Sequence, residues 1–161
     1  ALCGGRSYAL LEQFFRRTVQ LATGEEKSCY GWMERALTAA GELADVPAAC
    51  TKFQGTRDDP TLRGSITQLS SENFTPVCFI KSILDGMAEE LFEMYRGFLE
   101  TGAQRPTKMI GSGNGLRKNI HLQKTFERVF SCPMELSAQE EEAACGAAQF
   151  AAIQEKCRRL H

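Results

Sequence analysis

Histidine is scarce in this chain of 161 residues: only His121 and His161 occur. They lie far apart, and neither has the histidine or acidic partner four residues away that a zinc-binding helix would show. Cysteine is present, but its informative patterns are missing. The seven cysteines (Cys3, Cys29, Cys50, Cys78, Cys132, Cys145 and Cys157) are odd in number and widely spaced, with no C-x-x-C pair. They read as reduced thiols acting as small hydrophobes in a cytosolic protein, not as a metal or redox centre. Excess charge of either sign is also missing, with 19 basic and 20 acidic side chains. A basic nucleic-acid footprint and an acidic tail are thereby excluded. No apolar run approaches the roughly 18 residues of a membrane helix. The start, "ALCGGRSYALLEQFF", lacks the basic, apolar and small-residue order of a secretory signal, and it lacks an initiator Met. A piece of a longer chain is expected on that account. No repeat, low-complexity tract or linker is visible, and the length fits one domain with a real core.

Hydrophobic periodicity organises what is there. Residues 7–21 predict a helix with Tyr8, Leu11, Phe14, Phe15, Thr18 and Val19 on one stripe. Residues 26–43 predict a weaker helix, loosened by Gly31 and Gly41. "AACTKFQG" and "RGSITQL" read as strands around the polar loop "GTRDDPTLRG". Thr75 and Pro76 then suit the N-cap and first position of a long helix. Its apolar members are Val77, Ile80, Leu84, Met87, Leu91, Tyr95 and Phe98, and it ends near Gly102. "TKMIG" reads as a strand, "LRKNIHLQKTFERVF" as a helix and "CPMELS" as a further strand. The last helix opens with Ser137 and Glu140 at capping-box spacing. Glu140, Glu141 and Glu142 crowd its start and Lys156, Arg158 and Arg159 its end, the order a helix dipole favours, which accounts for these charges without catalysis. Strands alternating with helices predict an α/β layer structure.

The stretch "TKMIGSGNGLRKNIHLQKTF" holds three glycines in five residues, Gly111, Gly113 and Gly115. It fits neither the G-x-x-x-x-G-K-[ST] phosphate loop nor the G-x-G-x-x-G dinucleotide turn. A glycine turn after a strand still lets a flat ligand approach the backbone closely, and it equally serves as a bare corner. Spacing alone leaves both open. Asp58 and Asp59 suit turn chemistry beside Pro60, and Arg57 and Arg63 suit bracing of the same loop.

Four segments in order resemble the C-terminal lobe of the FGGY carbohydrate kinases: "CGGRSYALLEQF", "FQGTRDDPTLRGSITQLS", the glycine turn with Asn119, and "EEAACGAAQFAA". The last places Ala143, Ala144, Gly146, Ala147, Ala148, Ala151 and Ala152 along one helix, where small side chains admit another backbone. Within that family, "GSGNGLRKN", the Gly4–Gly5 pair and "FQGTRDDPTLRGSI" most resemble sedoheptulokinases. The resemblance implies a ribonuclease-H-like, actin-like ATPase lobe, a mixed sheet with packed helices, spanning residues 1–161. It implies ATP and Mg²⁺ as cofactors and transfer of the γ-phosphoryl group to a sugar hydroxyl. Gly5, Ala9, Gly111, Ser112, Gly113, Asn114, Lys118 and Asn119 are the implied nucleotide contacts, with Lys118 and Asn119 nearest the base. The family's catalytic Asp and phosphate-gripping G-T turn lie ahead of the matching segments, so no catalytic residue or metal ligand is expected within this chain, and the sugar would be held by an N-terminal lobe. The chain alone is expected to be inactive and, with uncovered faces, prone to self-association. The other open class is a non-catalytic domain that binds a nucleotide or a partner.

Overall fold

A computed structural model describes residues 4–138 and 142–158. Helix α1 (Gly4–Thr23) and helix α2 (Tyr30–Ala40) are followed by strands β1 (Ala48–Cys50) and β2 (Ser65–Thr67). Then come α3 (Pro76–Leu99), β3 (Met109–Gly111), α4 (Asn114–Lys118), α5 (Ile120–Phe130), β4 (Met134–Leu136) and α6 (Glu142–Arg158). This is a mixed α/β arrangement built around α3, which packs on α1, α2, α5 and β1.

The core follows from the predicted stripes. Phe15 of α1, Met33 and Leu37 of α2, Ile80 and Leu84 of α3 and Leu122 of α5 bury together, with Tyr8, Leu11, Val19, Val77 and Met87 at the margin. Phe14 belongs to the predicted stripe but faces outward, at 58% exposure. Helix α2 is shorter than its predicted span. Cys29 precedes it with no side-chain cap. The buried carboxylate of Glu12 on α1 supplies the missing acceptor, taking the Cys29 N–H at 3.0 Å. Gly41 ends the helix at φ +64°. Helix α3 begins as predicted, with Thr75 Oγ1 accepting the Cys78 N–H at 3.3 Å and Pro76 at the first position.

The mixed sheet that the resemblance implies is present only in part among the described residues, as two two-stranded pieces. β1 and β2 pair antiparallel, Ala49 opposite Ile66, while β3 and β4 pair parallel, Ile110 opposite Glu135. Each strand has three residues, fewer than predicted. After Thr51 the chain turns at once, with Gly55 N–H donating to Lys52 O at 3.0 Å and Gly55 at φ +72°. In the loop beyond, Asp59 and Arg63 take the turn and bracing roles expected of them. Asp59 Oδ1 accepts from Thr61 N–H at 2.9 Å and Thr61 Oγ1 at 2.6 Å, and Arg63 donates to the carbonyls of Pro60 and Leu62. The two bonds from Thr61, its hydroxyl first, also hold the Asp59 carboxyl below its ordinary pKa.

The five cysteines described, Cys29, Cys50, Cys78, Cys132 and Cys145, are all free thiols. Phe150 and Ile153 of α6 are exposed. Cys3, Glu140, Glu141, Arg159 and His161 lie outside the described residues, and with them the predicted capping box of the last helix. No described helix is long and apolar enough to cross a membrane.

Candidate nucleotide site

The predicted helix "LRKNIHLQKTFERVF" is interrupted, and the interruption builds the site. Asn119 sits at φ −124°, ψ 94°, outside helical space, so α4 stops and α5 starts afresh. Its Oδ1 accepts the Leu122 N–H at 2.9 Å, capping α5. Its side chain also reaches the Tyr8 hydroxyl on α1. One residue thus ends a helix, starts another and ties both to α1. Burial pushes the Tyr8 phenol up to about 12, against the opposing effect of the Asn119 hydrogen bond. Asn119→Ala should therefore cost about 1–2 kcal/mol, a lost cap plus a lost side-chain bond. Urea unfolding would measure it, and an unchanged midpoint would contradict the double role.

The glycine turn precedes this break. Gly111 ends β3 where a Cβ would lie 2.4 Å from Leu116 Cδ2 and 2.8 Å from Met134 Sδ, so a larger residue there would have to push aside the ends of two flexible side chains. Gly113 has φ +92° with ψ 148°, a conformation open almost only to glycine. A Cβ on it would meet nothing within 4 Å. The two glycines thus serve differently, one easing local packing and one shaping the backbone.

Two hollows flank the turn. The smaller, about 370 Å³, is bordered by Tyr8, Tyr30, Glu34, Asn114, Lys118 and Asn119. The rings of Tyr8 and Tyr30 stack with centroids 5.9 Å apart. The larger, about 650 Å³, runs along β3 and takes in Gly111, Ser112 and Gly113. Gly5, Met87, Gly115 and Leu122 border both. Seven of the eight implied contacts therefore line one hollow or the other, and Ala9 lines neither. The sequence offered no reason to single out Tyr30 and Glu34. Their four-residue spacing puts them on one face of α2, but only the tertiary fold brings that face to Asn119.

The smaller hollow suits a nucleotide base. It brings two tyrosine side chains, a carboxylate acceptor and amide and ammonium groups together just beyond the carboxyl end of β3. A metal ion finds no such fit: among the described residues no group of three or more His, Cys, Asp or Glu side chains could hold one. Asp85 is engaged by Lys81 and by Arg128, the latter at 2.7 Å, tying α3 to α5.

Residues 3–155 match the FGGY family of carbohydrate kinases, C-terminal domain. The chain belongs to that family. No curated protein matches it. Among solved structures, a xylulose kinase from Rhodospirillum rubrum is similar at 22% identity and TM-score 0.69, over 94% of this chain and 29% of that one. A xyloylose kinase from Brucella ovis is similar at 16% identity and TM-score 0.64, over 81% of this chain and 26% of that one. At such identities the likeness is one of fold. The chain spans less than a third of the length of either.

Proposed function

We propose that this chain is the ribonuclease-H-like, ATP-binding lobe of an actin-like carbohydrate kinase. Joined to a sugar-binding lobe, it would serve attack of a sugar hydroxyl oxygen on the γ-phosphorus of ATP, with ADP leaving. The observation that carries this is the smaller hollow. Tyr8 and Tyr30 offer ring faces to a base, with Asn119, Lys118 and Glu34 as polar partners beside them. The turn at Gly113, with no atom where a Cβ would go, lets the rest of the nucleoside lie against the backbone. Mg²⁺ would be carried on the phosphates, as that ion commonly is, and we assign it no ligand here. The hydroxyl proton goes to an acceptor in the other lobe, since Asp58, Asp59 and Asp85 are a loop pair and an ion-paired helix residue.

For the sugar we propose sedoheptulose, giving sedoheptulose 7-phosphate, on the forms "GSGNGLRKN" and "FQGTRDDPTLRGSI". The 161-residue chain should bind ADP in a calorimetric titration yet phosphorylate no sugar. A protein carrying both lobes should phosphorylate sedoheptulose faster than xylulose at equal concentration. Turnover by the chain alone would place a base among Asp58, Asp59 and Asp85. A preference for xylulose would overturn the sugar assignment and leave the kinase assignment standing. ADP binding without phosphorylation by the two-lobed protein would favour a non-catalytic nucleotide-binding domain.

A further inference from the structure

Glu34 borders the smaller hollow, and among the described residues no hydrogen bond or ion pair occupies its carboxylate. The Thr38 hydroxyl donates to the Glu34 backbone carbonyl at 3.0 Å and leaves the side chain free. An ionised carboxylate accepts hydrogen bonds and cannot donate them. Tyr30, one helical turn earlier on α2, stacks on Tyr8 of α1 with ring centroids 5.9 Å apart. That contact brings Glu34 near the Tyr8 hydroxyl, which feels its charge. Burial above all, with the Glu34 charge adding to it, pushes the Tyr8 phenol up to about 12. The hydroxyl therefore keeps its proton at neutral pH.

Asn119 decides what that proton is free to do. Its Oδ1 takes the Leu122 N–H at 2.9 Å. Its bond to Tyr8 lowers the phenol, the effect of a donor on the phenolic oxygen, so the Asn119 amide N–H donates and the Tyr8 oxygen accepts. The Tyr8 proton is then left to donate to something else. The hollow thus presents a donor and an acceptor near each other, neither engaged by the fold. Adenine presents the complement, a ring nitrogen that accepts beside a 6-amino group that donates. Guanine and hypoxanthine carry an oxygen at that place, an acceptor. Set against Glu34, such an oxygen would face a carboxylate with no proton between them.

We propose that Glu34 and Tyr8 select the base: Glu34 accepts from the 6-amino group of adenine, Tyr8 donates to the neighbouring ring nitrogen, and nucleotides of 6-oxo purines are disfavoured. This preference rests on the smaller hollow being the base site, and it adds what would set ATP apart from GTP there. Glu34 is exposed, so water softens the repulsion and the preference is moderate. Lys118 borders the same hollow and is the competing group, since an ammonium facing the 6 position would favour the oxygen instead.

Calorimetric titration of the chain with ADP and with inosine 5′-diphosphate tests this. The two ligands differ only at the 6 position and in the ring proton that goes with it. Ribose and phosphate contributions therefore cancel in the ratio of their affinities. ADP should bind about tenfold more tightly. Glu34→Gln supplies an amide that can turn to accept or to donate. It should narrow the ratio to about threefold or less, mainly by strengthening inosine diphosphate. Its thermal midpoint without ligand should hold, because the carboxylate has no partner in the fold. Tyr8→Phe should narrow the ratio from the other side, by weakening ADP. Equal affinities in the parent chain, or a ratio unmoved by either substitution, would overturn the proposal and leave ATP binding standing. Tighter binding of inosine diphosphate would also overturn it, assigning the 6 position to Lys118. Failure of both nucleotides to bind would remove the base site itself, and this preference with it.

Discussion

Gly86→Ala is expected to destabilise the fold by about 2–3 kcal/mol, although alanine in a helix interior normally stabilises by about 1 kcal/mol relative to glycine. Gly86 lies in the middle of α3 and is buried. A Cβ there would stand 2.3 Å from the carbonyl oxygen of Ala49 and 3.1 Å from Thr51 Cγ2. Ordinary contact needs about 3.5 Å or more, so helix and strand must part by over an ångström. The obstructing atom is backbone, not the end of a flexible side chain, and cannot step aside alone. Moving β1 also strains what hangs on Thr51. Ser7 Oγ on α1 donates to its carbonyl at 3.3 Å, and its own hydroxyl donates to Glu90. Gly97→Ala is the control, on the same helix with nothing within 4 Å of the added carbon. It should raise stability by a few tenths to about 1 kcal/mol. Urea midpoints of the two variants should move in opposite directions. A shift of the same sign in both would mean that the close approach of α3 to β1 is not a packing constraint.

That close approach shows where sequence reasoning stops. The stripe Val77, Ile80, Leu84, Met87 reveals a helix and its buried face, because both follow from local spacing. Gly86 reveals nothing by itself, since its need for a missing Cβ comes from Ala49, a residue far off in the chain. Asn119 shows the same limit in a different way. An Asn inside a run of apolar periodicity looks like a tolerated polar residue. Its capping of Leu122 and its contact with Tyr8 depend on α1 being alongside. The strands read too long for a related reason. β-branched and aromatic residues mark "AACTKFQG" as extended, but Thr51 spends its hydroxyl on Glu90 and the chain turns at Gly55. The glycine turn was legible as a special corner and as a family feature. Its division of labour, Gly111 for packing and Gly113 for backbone shape, was not, because two glycines two residues apart look alike in a sequence.

The turn also yields the sharpest test of the proposed site, because two of its glycines separate strain from ligand contact. Gly113→Ala should lose about 1–3 kcal/mol of stability from backbone conformation alone, since no neighbour obstructs the new carbon and φ is +92°. Gly115 borders both hollows, and a Cβ there also meets nothing within 4 Å. It lies inside α4 and is absent from the positive-φ glycines, so Gly115→Ala carries no such strain. Its thermal midpoint without ligand should hold or rise slightly. If the nucleotide lies against this turn, a methyl group at either position should weaken ADP binding. A loss of about tenfold to a hundredfold corresponds to about 1–3 kcal/mol. Calorimetric titration with ADP then distinguishes the cases. Weaker binding in both variants, with stability lost only at Gly113, is the expected pattern. Stability lost at Gly113 with full ADP affinity in Gly115→Ala would mean that the glycines only turn the chain from β3 into α4, and that the nucleotide binds elsewhere.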